Sequence, residues 1–276
     1  MSKVWMITGA SRGLGKEFVR EAVEQGDQVI ATVRTIPDDE LFKNENVLPV
    51  VMDVRDPEAI RKAVKDGVDR FGRIDVLVNN AGHGMNGAFE EISDEELREM
   101  MDTNYFGVAN VIREVLPVMR PQQSGKILNV SSLAGAIGSL GSTSYCSPKF
   151  AVVGLSLSLA KELEEMGIQV AAVLPGAFRT DFRDASSYRY PASPMSEYDG
   201  NSVRHQQKFM EENNHKQMGD PAKAASFLYE IVDQETLPSR ILIGEDCINA
   251  VEKDLENQLK EIAAYKEKSS KTAITE

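Results

Sequence analysis

Along most of this chain, short apolar strand-like runs alternate with stretches of helical periodicity, and that alternation restricts the folds open to it. Residues 3–8 (KVWMIT) are short, apolar and rich in strand formers, while residues 16–26 (KEFVREAVEQG) have helical spacing and a closing glycine. Residues 28–33, 47–54, 74–80, 125–130, 168–175 and 239–244 read as further strands. Residues 57–72 read as a helix with proline at its start and glycine at its end. Residues 93–119 read as one long helix with a good cap. Seven strands joined by helical crossovers predict an α/β fold built on a doubly wound, mainly parallel sheet with helices on both faces. Active sites in such sheets lie at the carboxyl ends of the strands.

No repeat or linker divides the 276 residues, so a single domain over 1–276 is expected. Two segments break the pattern. Residues 183–220 are polar, with scattered Tyr188, Tyr190, Met195 and Tyr198, and are expected to form a substrate lid. Residues 249–276 are expected to form an amphipathic helix packed on a neighbour, fading into a frayed tail. The net charge of −12 argues against nucleic acid as a partner, because a duplex-binding surface must be basic. Cys146 and Cys247 form neither a disulfide framework nor a CxxC metal site, so free thiols in a reducing cytoplasm are expected. The N-terminal residues lack a charged leader and a cleavage site, and no window approaches the ~18 apolar residues of a membrane span.

The segment TGASRGLG (8–15) lies between the first strand and the first helix. Gly9, Gly13 and Gly15 permit a tight turn and close approach to a pyrophosphate, and the helix N-terminus adds amide donors. This points to a Rossmann-type dinucleotide site that also involves Ser11, Arg12 and Leu14, although the glycine spacing departs from G-x-G-x-x-G. The second strand ends in Thr32, Val33 and Arg34, without the carboxylate that would bind a ribose 2′-hydroxyl. Arg12 and Arg34 suit a 2′-phosphate instead, which favours NADP(H) over NAD(H).

TGASRGLG, NNAG (79–82), NVSS (129–132), YCSPK (145–149) and PG (175–176) occur in an order and spacing that resemble the short-chain dehydrogenase/reductase family. The resemblance covers residues 3–182 strongly and the rest weakly, and is nearest to the hydroxysteroid and retinol dehydrogenase branch. Tyr145 and Lys149 are four residues apart and share a helix face. A nearby ammonium and a cationic nicotinamide are expected to lower the phenol's pKa, so that Tyr145 exchanges a proton with the substrate oxygen. The resemblance implies the same role, and implies that Lys149 bonds the nicotinamide ribose. It also implies that Ser132 holds the substrate oxygen, with Ser131 pointing elsewhere, and that Asn104 binds a water linking the lysine to solvent. By the same resemblance Asn80, Ala81 and Gly82 shape the turn beside the cofactor. Asp53, with Val54, contacts the adenine, while Pro175, Gly176 and Thr180 border the nicotinamide.

His83, His205 and His215 show no ligand spacing, and no metal is expected; His83, after NNAG, is read as a solvated loop residue, with substrate contact as the alternative. Pro148 is read within the first helical turn. These features predict an NADP(H)-dependent oxidoreductase acting between a ketone and a secondary alcohol. Its substrate is expected to be a moderately apolar small molecule such as a steroid, retinoid or aromatic ketone. The alternatives are a non-catalytic NADP(H)-binding regulator, or an epimerase using the same site; the intact glycine loop argues against dehalogenation. A homodimer or homotetramer pairing the helices 93–119 and 143–166 is expected from the family.

Overall fold

The structure, a computed structural model, describes residues 2–274. Strand β1 (Val4–Thr8) leads into α1 (Gly13–Glu24), followed by β2 (Gln28–Val33), β3 (Val47–Val51), α2 (Pro57–Phe71) and β4 (Val76–Asn79). A two-residue strand β5 (Gly84–Met85) precedes α3 (Asp94–Met101), α4 (Gly107–Gln122), β6 (Gly125–Val130), α5 (Thr143–Leu163) and β7 (Ile168–Pro175). Then come β8 (Tyr188–Arg189), α6 (Ser202–Glu212), α7 (Pro221–Asp233), β9 (Arg240–Ile243) and α8 (Glu245–Ser269).

The seven-stranded sheet has the order β3-β2-β1-β4-β6-β7-β9, and every neighbouring pair is parallel. Helices on both faces make these strands apolar throughout rather than alternately. Successive side chains still divide between the faces. Trp5 and Ile7 join Phe18, Val19 and Leu228 beneath α1 and α7. Val4 and Met6 join Ile60, Val111, Val115 and Val152 beneath α2, α4 and α5. The chain runs outward from β1 to β3, then returns to place β4 on the other side of β1. That reversal opens a crevice at the carboxyl ends of β1 and β4.

Local signals explain several boundaries. Asp56 caps α2 by accepting from the amides of Glu58 and Ala59, Pro57 follows, and Gly72 stops the helix at φ +82°. Ser93 and Glu96 close a capping box on α3. Other boundaries correct the sequence reading. The helix expected over 93–119 is interrupted by a π-turn at Asp102–Phe106. Helix α5 begins at Thr143, which places Pro148 in its second turn rather than its first. Strand β3 ends at Val51, so Asp53 and Val54 lie beyond it.

The last helix starts at Glu245 and, among its residues, only Cys247 is buried. Leu255 and Leu259 are 53% and 67% exposed, so the outer part of α8 does not pack on a neighbouring element as expected. Residues 275–276 of the expected tail lie outside the described residues. Both cysteines are free and buried. No helix among the described residues is long and apolar enough to cross a membrane.

Candidate active site

One cleft of about 510 Å³ opens at the carboxyl ends of the central strands. At its floor, Gly9 (φ +66°) and Gly13 (φ +55°) adopt left-handed backbone that favours glycine. A Cβ on Gly9 would sit 2.9 Å from Ala81 Cα, so the glycine loop and the NNAG turn touch through their backbones. Asn80 secures the contact by donating from Nδ2 to the carbonyls of Thr8 (3.0 Å) and Gly9 (3.2 Å). Thr8 Oγ1 in turn accepts from the amides of Asn80 and Ala81, each at 3.0 Å. The first turn of α1 has no side-chain cap and no acidic residue. Its amides therefore remain available to an anion, as a dinucleotide pyrophosphate requires.

Ser11, Arg12, Leu14, Arg34, Asp53, Val54, Ala81, Gly82, Pro175, Gly176 and Thr180 line the same cleft, as do Gly9, Gly13 and Asn80. Gly15 lies behind it, where a side chain would strike the Gly9 carbonyl. Two guanidiniums thus reach the cleft, but Arg12 is turned to the 183–220 segment. It donates to Ser186 Oγ at 2.5 Å and to the Ser187 hydroxyl. Asp53 is paired with Arg55 (2.7 Å), whose guanidinium holds the carboxyl below its usual range.

At the other end of the cleft, the ends of β6 and α5 place Ser132, Tyr145 and Lys149 together. Lys149 is only 4% exposed, and its Nζ donates to the Val130 carbonyl at 2.9 Å. Burial depresses its pKa to about 8. Burial also pushes Tyr145 up to about 12, against the opposing effect of the Ser132 hydroxyl. The protein by itself therefore holds this phenol less acidic than an ordinary tyrosine. Nζ lies 5.7 Å from the centre of the tyrosine ring, and the rise comes chiefly from desolvation of the phenolate. Ser131 points away, as expected, donating to the Lys149 carbonyl at 2.8 Å.

Asn104 is completely buried in the π-turn, just behind the cleft. It accepts from the His83 amide (3.1 Å) and donates to the His83 carbonyl (3.0 Å). Gly82 separates it from Lys149: a Cβ there would lie 2.5 Å from Asn104 Oδ1 and 3.6 Å from Lys149 Nζ. His83 is consequently drawn into the cleft wall instead of standing in solvent. Burial lowers its pKa to about 4, so it is neutral at pH 7.

The match to the protein-family model described as short chain dehydrogenase spans residues 3–190. The chain belongs to the short-chain dehydrogenase family. It is 38% identical over 253 residues to Oxidoreductase BOA17 of Botryotinia fuckeliana, covering 90% of this chain and 91% of that protein. It is 36% identical over 247 residues to the 3-ketodihydrosphingosine reductase of Bacteroides thetaiotaomicron, covering 88% of each. The crystal structure of a short-chain dehydrogenase from Streptomyces avermitilis superposes with a TM-score of 0.90 at 34% identity, covering 99% of this chain and all of that one. The structure of ElxO with NADP bound superposes at 0.71 and 27% identity, covering 88% and 96%.

Around this dehydrogenase cleft the structure makes contacts that sequence reasoning did not supply. Asp246, in the first turn of α8, accepts from the Ala177 amide at 2.7 Å and lies against Gly176. The acidic start of α8 was a readable helix signal, but its contact with Gly176 depends on β9 pairing with β7. Phe182 packs 6.0 Å from the Tyr145 ring, and Tyr188 packs 6.1 Å from Phe182. Outside the lining of the cleft, His215 meets Asp184 at 2.8 Å, with Asp181 nearby, in a partly solvated cluster that spacing along the chain did not suggest.

Proposed function

We propose that this short-chain dehydrogenase is an NADP(H)-dependent oxidoreductase interconverting a ketone and a secondary alcohol. The observation that carries the reading is the convergence of Ser132, Tyr145 and Lys149 on the cleft that holds the glycine cradle. When bound, the nicotinamide supplies or accepts a hydride at the carbonyl carbon. Ser132 donates a hydrogen bond to the substrate oxygen. Tyr145 gives that oxygen its proton during reduction and removes it during oxidation. Its elevated pKa keeps the phenol protonated and ready to donate at neutral pH. Lys149 holds a proton behind the phenol, bonds the ribose hydroxyls and, with Asn104 behind Gly82, maintains the relay.

The pair Arg12 and Arg34, with no carboxylate at the end of β2, supports NADP(H) over NAD(H). ElxO with NADP bound is in keeping with that preference. The aromatic wall beginning at Phe182 supports a moderately apolar substrate of the steroid, retinoid or aromatic ketone kind, as in the hydroxysteroid and retinol dehydrogenase branch. The 3-keto substrate in the name of the Bacteroides relative supports ketone reduction. The reading includes a single domain over 1–276 with a substrate lid at about 183–220, a cytoplasmic setting and a homodimer or homotetramer. The test is NADPH consumption with a panel of ketones, alongside Tyr145→Phe. Loss of the proton donor is expected to lower kcat by about 10²- to 10⁴-fold while NADPH binding persists. Turnover that survives this substitution unchanged contradicts the mechanism. NADPH binding without turnover of any ketone in the native protein favours a regulator.

A further inference from the structure

A second cavity, of about 410 Å³ and partly open to solvent, lies within the 183–214 segment, with Ala185, Tyr190 and Glu211 on its walls. Three residues line both this cavity and the main cleft: Arg183, Tyr188 and Met210. Tyr188 is the part of this partition that the fold holds most firmly. Its backbone pairs in parallel register with Gly84, and Met85 pairs with Arg189. Its ring lies against Gly84, where any Cβ would collide with Cδ2 and Cε2. Phe182 meets it on one side and Tyr190 on the other, at centroid distances of 6.1 and 6.0 Å, both edge-on. Its hydroxyl donates to Met210 Sδ at 3.5 Å, joining β8 to α6 across the gap. Only 6% of the residue is exposed.

We propose that Tyr188 limits how far a substrate extends from its reacting carbonyl, by walling the cleft off from the second cavity. The inference rests on the reading that the cleft takes a carbonyl substrate. A ketone oxygen at Ser132 and Tyr145 has its apolar body directed along Phe182, and the Tyr188 ring ends that path. The native protein therefore takes compact apolar ketones, or ketones whose bulk leaves through the cleft mouth. An extended alkyl chain reaches the second cavity only when the partition is shortened. Tyr188 is a positioning residue in this account; it moves no proton.

The test is a series of methyl ketones from butanone to dodecanone, with kcat/KM measured for the native protein, Tyr188→Ala, Tyr188→Phe and Met210→Ala. Calorimetric titration of the same ketones onto each protein–NADP complex provides a second readout that needs no turnover. Tyr188→Ala is expected to move the optimum to longer chains, raising the long-to-short ratio about tenfold or more, as one methylene in an apolar pocket is worth at least that. Tyr188→Phe keeps the ring and is expected to keep the native cut-off. Met210→Ala opens the partition from α6 and is expected to shift the cut-off in the same direction, which covers the case of a Tyr188→Ala protein that does not fold. Length profiles that stay parallel in native protein and both alanine variants, in turnover and in binding, overturn the inference. A binding cut-off that shifts in a protein turning over no ketone overturns the proposed reaction and leaves the partition standing.

Discussion

Lys149 carries a charge in a place that resists it: a nearly closed site with one backbone carbonyl, Val130 O, as its hydrogen-bond partner. Its folded pKa of about 8 lies below the ordinary 10.5. Below pH 8 both folded and unfolded chains hold the proton, and the folded chain bears the whole desolvation cost. Between about 8 and 10.5 the folded chain sheds the proton first, so this cost to stability fades as pH rises. Lys149→Met is therefore expected to raise thermal stability at pH 7, by no more than roughly 3 kcal/mol, while greatly reducing turnover. The gain should shrink across pH 8 to 10.5, as denaturant titrations at several pH values will show. A variant less stable than native at pH 7 contradicts the account. Activity senses the same group: kcat/KM for NADPH, which reports the free protein, is expected to fall as pH rises through about 8. A profile flat to pH 10 would separate Lys149 ionisation from cofactor capture.

At the scale of elements, the 183–220 segment is a wall bolted to the scaffold. Arg204 of α6 makes a two-pronged ion pair with the fully buried carboxylate of Glu91. Glu91 also accepts from the amides of Met195 (2.7 Å) and Ala88 (2.9 Å). Arg189 meets Glu99 at 2.7 Å, and Gln207 reaches the Asn86 carbonyl at 3.0 Å. The Arg204 guanidinium, aided by those amides, holds Glu91 at about 2, below its ordinary 4.5. Its stabilisation is complete above pH 4.5 and is lost as pH falls toward 2. Amide exchange in α6 is expected to accelerate over that window in native protein. In Glu91→Gln it should already be fast at pH 7, with a several-fold higher KM for ketone and little change in KM for NADPH, because breaking one side of a buried pair strands the other. Unchanged α6 exchange in Glu91→Gln at pH 7 would show that other contacts suffice. Little of this wall was readable in the sequence, because Glu91 and Arg204 are joined only by the tertiary fold. The strands were readable for the opposite reason: buried on both faces, they appear as continuous apolar runs such as VWMIT. Tyr145 and Lys149 were readable as a pair through their helical spacing, and Ser132 through the resemblance to the family. The π-turn was not, since DTNYF keeps helical spacing and its break accompanies the bonds from Asn104 to the backbone of His83.

For the whole molecule, the remaining question is what covers its exposed aromatic side chains. Phe106, at the end of the π-turn, and Phe150, on α5, are 48% and 44% exposed, on elements that pack together. They belong to the same helices that the family resemblance pairs across two-fold axes. A net charge of −12 makes each chain repel its copies at long range, so close association must come from apolar contact at short range. Sedimentation is accordingly expected to give a dimer or tetramer that persists in high salt, where screening weakens the repulsion and leaves apolar burial intact. If the chain pairs through these helices, Phe150→Asp is expected to put a carboxylate into the contact and yield monomer. Tyr145 and Lys149 lie on the same helix as Phe150, five residues and one residue before it. Dissociation is therefore expected to loosen the catalytic helix and lower kcat while the glycine cradle, built on β1 and α1, keeps its affinity for NADPH. A native protein that sediments as a monomer, or a Phe150→Asp variant that retains both assembly and turnover, would show that these aromatics face solvent for some other reason.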